Sequence, residues 1–226
     1  MNTVTWRDLL SRRFDTRDQA PMTTWVSQRL GSVAAALAFR VGLSPNAVTL
    51  CGLVSMLAAA LVYALGGSAG AWVLAAVLWQ LGFALDCADG QLARATGRGS
   101  AYGAWLDVAC DHVRQSAIAL AVLYVLLTAG LPIGLAYGAV FAMLSGMTVY
   151  LHTASFMKAE APPAIRVGSW RTLVRQLLRA LLDTPFFLLL LCALRPQPSL
   201  LALFALAYGG LLVVRALAIA ALRLQG

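Results

Sequence analysis

Charge is what this sequence has least of. Only 12% of its 226 residues are charged and 61% are hydrophobic, with a mean hydropathy of +0.79. Soluble domains carry about 25% charged residues, so a soluble enzyme is excluded and an integral membrane protein is indicated. Cysteine is scarce too. Cys51, Cys87, Cys110 and Cys192 fall within or at the ends of apolar runs with no C-x-x-C spacing, which argues against a disulfide framework and for small packing residues. Lysine occurs once, at Lys158. The net charge of +8 therefore rests on arginine. Those arginines are spread along the chain without an aromatic-interleaved basic patch, so no nucleic-acid partner is expected and anionic lipid headgroups are.

Apolar stretches are abundant. A bilayer core of about 30 Å needs roughly 20 residues of helix, and six stretches qualify: 46–66, 70–88, 105–128, 132–156, 172–194 and 199–221. The expectation is an all-α integral membrane protein of six transmembrane helices. It forms a single membrane-embedded unit over 1–226, with an N-terminal segment 1–44 and a six-helix core 45–226. The first twenty residues are too charged for a secretory signal. Arg29, Ser32 and Arg40 share a helical face that Trp25, Val33 and Leu37 avoid, which predicts an interfacial amphipathic helix over Thr24–Arg40. Pro45 suits the first turn of the first span.

Basic residues remain on the cytoplasmic side of short loops. Arg7, Arg12, Arg13, Arg17, Arg29 and Arg40 precede the first span, Arg94 and Arg98 join the second to the third, and Lys158, Arg166 and Arg171 join the fourth to the fifth. The opposite connections hold only Arg195. Both termini are expected in the cytoplasm, of a bacterial plasma membrane.

Against this scarcity of charge, four of the nine acidic residues lie in one short stretch, DCADGQLARATGRGSAYGAWLDVACD, from Asp86 to Asp111. Carboxylates bordering a span cost several kcal/mol unless compensated, and like charges close together raise that cost unless a cation sits between them. Asp86 and Asp89 are three apart and Asp107 and Asp111 four apart, so each pair shares a helical face. Two such faces on antiparallel helices would aim four carboxylates into one pocket. Oxygen-only ligation suits Mg²⁺, Mn²⁺ or Ca²⁺, and Mg²⁺ usually shares its ligands with substrate phosphates. Gly90, Gly97, Gly99 and Gly103 let backbone approach an anion, Ala93 and Ala101 leave space between the helices, and Arg94 can pair with a phosphate.

Asp86, Asp89, Gly90, Ala93, Arg94, Gly103, Asp107 and Asp111 reproduce D-x2-D-G-x2-A-R-x8-G-x3-D-x3-D at every fixed position, and this stretch resembles the signature of the CDP-alcohol phosphotransferases. The resemblance implies a transfer in phospholipid biosynthesis that depends on two divalent cations, Mg²⁺ or alternatively Mn²⁺. An acceptor hydroxyl attacks the alcohol-linked phosphate of a CDP-alcohol such as CDP-diacylglycerol, and CMP leaves. It further implies that Asp86, Asp89, Asp107 and Asp111 ligate metal, that Asp111 is the general base, that Asp86, Asp89, Gly90, Ala93, Arg94 and Gly103 line the nucleotide site, and that the chain forms a homodimer. Relatives that use a phosphorylated acceptor carry cations near the end of the fourth span, so Lys158 and Arg166 are candidates to hold an acceptor such as inositol phosphate, glycerol phosphate or phosphatidylglycerol.

Two rival functions are a divalent-cation transporter and a catalytically silent lipid-binding homologue. CMP release separates both from an enzyme, and a transport site belongs nearer the bilayer midplane. His112, Cys87 and Cys110 adjoin motif aspartates, but a one-residue offset turns a helical side chain by about 100°, so they are expected to pack rather than ligate. Asn46 and Thr49 at the start of the first span are expected to cap and pack, or to touch the nucleotide. Arg171, Arg175, Arg179 and Asp183 form one stripe, reaching either headgroups or the pocket, with Arg179 able to pair with Asp183; Arg215 poses the same choice.

Overall fold

The computed structural model describes residues 4–11, 15, 20–156 and 179–224. Every regular element among them is helical. A short helix α1 (Trp6–Leu10) precedes one π-helical turn, Thr23–Ser27, that runs directly into α2 (Gln28–Arg40). The long helices α3 (Pro45–Leu65), α4 (Ala69–Thr96), α5 (Ala101–Thr128) and α6 (Ile133–Phe156) follow, then α7 (Thr184–Leu194) and α8 (Pro198–Leu224). Five of these, α3, α4, α5, α6 and α8, are long and apolar enough to cross a membrane. Of the expected fifth span, 172–194, residues 172–178 lie outside the described residues; in the described remainder the helical run is interrupted before α7, which has 11 residues.

Serine caps set the long helices. Ser44, Ser68 and Ser100 each accept a hydrogen bond from the backbone N–H three residues on, satisfying donors that the first helical turn leaves free. Pro45 occupies the first turn of α3. At the end of α4, Gly97 adopts φ 66°, a left-handed cap that a side chain would strain. The second and third spans differ from expectation in length. Both α4 and α5 have 28 residues, about 42 Å at 1.5 Å per residue. The helix carrying Asp86 and Asp89 therefore continues past residue 88 and lifts the motif to one end of the bundle.

Helix α3 packs along α4, α6 along α8, and α5 lies between α3 and α6. The α3–α4 crossing is close: a Cβ on Gly82 would stand 2.6 Å from Met56 Cγ, so small residues bring the backbones together as membrane helices commonly do. Tyr63, Trp79, Phe187, Leu191 and Leu201 fill the main core. Tyr63 and Trp79 rings lie 5.1 Å apart, and the Tyr63 hydroxyl donates to the Leu191 carbonyl at 3.2 Å. Val54, Leu61, Val73, Phe141, Leu203 and Val214 point outward, a lipid-facing surface for a bundle of this composition.

The amphipathic segment lies across α4. Its Ala35, Ala36 and Ala38 pack with Leu9, Ala88, Leu92 and Ala95, while Trp25, Leu30, Val33 and Leu37 are exposed. The buried Asp183 fixes it at the far side. One Asp183 oxygen accepts from the Thr23 backbone N–H at 2.9 Å and the other from the Thr23 hydroxyl at 2.6 Å, so the carboxylate read as a partner for Arg179 binds the amphipathic segment to the start of α7.

Candidate active site

The turn Gly97–Ser100 returns the chain so sharply that the last turns of α4 face the first turns of α5. On α4, Asp86 and Asp89 share a face; on α5, Asp107 and Asp111 do. One carboxylate oxygen from each of Asp86, Asp89 and Asp107 lies within 4.8 Å of the others. Among the described residues this is the one group of three or more acidic, histidine or cysteine side chains close enough to share an ion. The donor set fits a hard divalent cation: three carboxylate oxygens this close together are the all-oxygen ligation that Mg²⁺ or Mn²⁺ takes.

Each carboxylate is held differently. Asp89 is buried and its Oδ2 accepts from the Thr49 hydroxyl at 2.5 Å, which fixes the orientation of that carboxylate and assigns Thr49 a place that helix capping does not explain. Asp111 stands outside the triad. It pairs with the Arg114 guanidinium, which also reaches Asp86 Oδ1 at 2.7 Å and Asp107 Oδ1 at 4.0 Å. Arg114 is only 5% exposed, and an arginine so placed is stable because its fork meets carboxylates on several sides. Arg114 stands outside the sequence motif. Its spacing of three residues from Asp111 placed it on the acidic face, a signal masked by the apolar run that surrounds it.

The carboxylates line two cavities. A cavity of about 490 Å³ is bounded by Asn46, Thr49, Asp89, Gly90, Ala93, Arg94, the turn 97–100, Gly103 and Asp107. Arg94 folds back over Gly90, where an added Cβ would meet its Nη1 at 3.1 Å. Asn46 Oδ1 occupies the corresponding space opposite Gly103, also at 3.1 Å from an added Cβ. A separate cavity of about 220 Å³ is bounded by Asp86, Asp111, Arg114, Gln115, Tyr150, Thr184 and Tyr208. The single shared pocket expected for four carboxylates is thus divided, with the cluster as the wall between. A third cavity, about 900 Å³, is an apolar groove between α2, α4 and α7 with no carboxylate in its lining.

The remaining candidates separate clearly. The His112 ring lies 5.1 Å from that of His152 on α6, so it packs between helices. Cys110 is buried and Cys87 half-buried. The Arg215 guanidinium rests 4.7 Å from the Tyr150 ring centre, a cation–π contact at the rim of the smaller cavity. Lys158, Arg166, Arg171 and Arg175 lie outside the described residues.

Comparison with known proteins agrees with this layout. Two curated relatives align over part of the chain. The phosphatidylinositol phosphate synthase of Mycobacterium marinum is 38% identical over 79 residues, 35% of this chain and 32% of that protein. The archaetidylinositol phosphate synthase of Pyrococcus horikoshii is 33% identical over 92 residues, 40% of this chain and 44% of that protein. The chain thus spans less than half the length of the curated relatives it matches. Among solved structures, the Mycobacterium tuberculosis phosphatidylinositol phosphate synthase in complex with manganese and citrate shares the fold, with a TM-score of 0.55 over 83% of this chain and 86% of that one at 22% identity. The same protein with CDP-DAG bound gives a TM-score of 0.56 over 85% and 90% at 21% identity. A family model for CDP-alcohol phosphatidyltransferase matches residues 42–194, which include the acidic cluster and the whole lining of the cavity of about 490 Å³ beside it, and the chain belongs to that family.

Proposed function

We propose that this protein transfers a phosphatidyl group from a CDP-alcohol, CDP-diacylglycerol in particular, to the hydroxyl of an acceptor alcohol and releases CMP. The observation that carries the reading is the carboxylate triad at 4.8 Å or less on the wall of a cavity lined by Gly90, Ala93, Arg94 and Gly103. In this reading Asp86, Asp89 and Asp107 hold Mg²⁺ or Mn²⁺, and Asp111 completes the set for a second ion. Bound there, the ions neutralise charge on the diphosphate and on the departing CMP.

The chain's own residues do the rest. Gly90 and Gly103 leave backbone open to the cytidine diphosphate, and Arg94 swings from Gly90 to pair with a phosphate. Thr49 keeps the Asp89 carboxylate oriented. Asp111, facing the smaller cavity, takes the proton from the acceptor hydroxyl as the new phosphate–oxygen bond forms and the bond to CMP breaks; a base needs to come within about 3 Å of that proton. The acceptor is phosphorylated or anionic. Relatives named for phosphatidylinositol phosphate and archaetidylinositol phosphate synthesis support an inositol phosphate, with glycerol phosphate and phosphatidylglycerol next. Lys158 and Arg166 are assigned to hold its charge. The basic residues of the N-terminal segment, with Arg94 and Arg98, support a reading with both termini and the active site on the cytoplasmic face of a bacterial plasma membrane, and the family habit is a homodimer.

The test is CMP release by purified protein with CDP-diacylglycerol, Mg²⁺ and a panel of acceptors. Release with inositol phosphate alone is the expected result. Release with none, under conditions where CDP-diacylglycerol binds, would point to the silent homologue.

A further inference from the structure

The acidic cluster is divided unequally between two partners. Asp89 meets a neutral hydroxyl, at Thr49. Asp86 and Asp111 share a permanent cation, Arg114, which is 5% exposed and bonded to Asp86 at 2.7 Å. Formal charge follows this division. Four carboxylates and one guanidinium leave −3; one divalent ion brings the cluster to −1, and a second takes it to +1. A second ion between Asp86 and Asp111 would also lie against the guanidinium that already spans them, an unfavourable placement where surroundings are poor in water. An incoming diphosphate reverses the sign of the balance. Its anionic oxygens supply charge that lets ion and guanidinium coexist, and they offer Arg114 a partner in place of Asp111.

We propose that Arg114 is a positioning residue that holds the Asp86–Asp111 half of the cluster before nucleotide arrives, so the nucleotide-free protein takes one divalent cation, at Asp86, Asp89 and Asp107, and takes a second only together with the diphosphate. The inference rests on the reading of the cluster as a divalent-cation site. It makes binding ordered: the first ion belongs to the protein and the second enters with the substrate. A guanidinium shared between Asp86 and Asp111 also keeps Asp111 from collapsing onto the first ion, leaving that carboxylate free to face the smaller cavity.

The test is Mn²⁺ binding to the purified full chain in detergent, by equilibrium dialysis and metal analysis, with and without saturating CDP. The expected result for the wild type is one Mn²⁺ per chain without CDP and two with it. Arg114→Gln should bind two without CDP, an increase that loss of a merely structural residue would not give. Asp111→Asn should bind one, with affinity within about threefold of wild type. Two ions on the nucleotide-free wild type, the same number with and without CDP, or one ion on a folded Arg114→Gln overturns the proposal while leaving the cation site standing. No Mn²⁺ bound in any arm removes the cation site itself. The wild-type pair of measurements decides the matter alone if Arg114→Gln does not fold.

Discussion

The two ends of the α3–α4 pair are built by different forces. Toward the Leu65–Ala69 end, the tilted rings of Tyr63 and Trp79 pack within an uncharged core of Phe187, Leu191 and Leu201. The nearest cation there, Arg195, lies 5.7 Å from both the Tyr63 and Trp72 ring centres and donates at 3.4 Å to the Tyr63 and Ala64 carbonyls, closing the C-terminus of α3. Toward the Pro45–Thr96 end, small side chains leave room for a cavity, and around it the carboxylates are held by polar and charged partners. Packing supplies stability where nothing else is needed; the polar end keeps open space and buried carboxylates that an apolar core would not tolerate.

Substitutions can break this division of labour, starting with the largest effect. Asp89→Asn and Asp107→Asn are expected to lower CMP release from CDP-diacylglycerol by at least about ten-thousand-fold, since divalent-ion stabilisation is worth several kcal/mol and each 1.4 kcal/mol is about tenfold. Their thermal unfolding in detergent should shift by only a few degrees; a collapse in stability equal to that of a core variant would erase the distinction between the ends. Asp111→Asn is expected to slow turnover about a hundred- to ten-thousand-fold, the range for loss of a general base, with CDP affinity retained in a binding assay. Loss of CDP binding would contradict its assignment.

Trp79→Ala is the reverse case. It should cost about 3–5 kcal/mol of stability, as other large-to-small core changes do, while CMP release per folded molecule stays within about twofold. Smallest is Thr49→Val, which removes the hydroxyl that orients Asp89. A hydrogen bond to a charged group contributes about 1.5–3 kcal/mol, so Mn²⁺ affinity should weaken roughly ten- to hundredfold in the dialysis measurement, with the melting temperature nearly unchanged.

Much of this layout could be read from residue spacing. The i, i+3 and i, i+4 pairs of aspartates place two acidic faces on adjoining helices, and the structure brings three of those carboxylates together. The helix ends were harder to see, because Asp86, Asp89, Arg94 and the glycines lower the hydropathy of a stretch whose helical periodicity continues to Thr96. Membrane thickness limits apolar length, not helix length. Arg114 was hidden for the opposite reason: one cation in an apolar run looks like an exception until the fold sets it against three aspartates. The bond between Asp183 and Thr23 joins residues 160 apart in sequence, and no local pattern announces such a contact. The amphipathic segment was legible as a helix, but which of its faces meets α4 was decided by the small residues Ala35 and Ala38.

The account stands on one physical relation, a divalent ion held by Asp86, Asp89 and Asp107 that grips the diphosphate of a cytidine nucleotide in the neighbouring cavity. Paramagnetic broadening of the ³¹P resonances of CDP by Mn²⁺ on the purified protein measures that relation directly. Strong broadening with wild type, lost with Asp89→Asn at the same CDP occupancy, is the predicted result. Protein-bound CDP whose phosphorus signals stay sharp beside bound Mn²⁺ would contradict it.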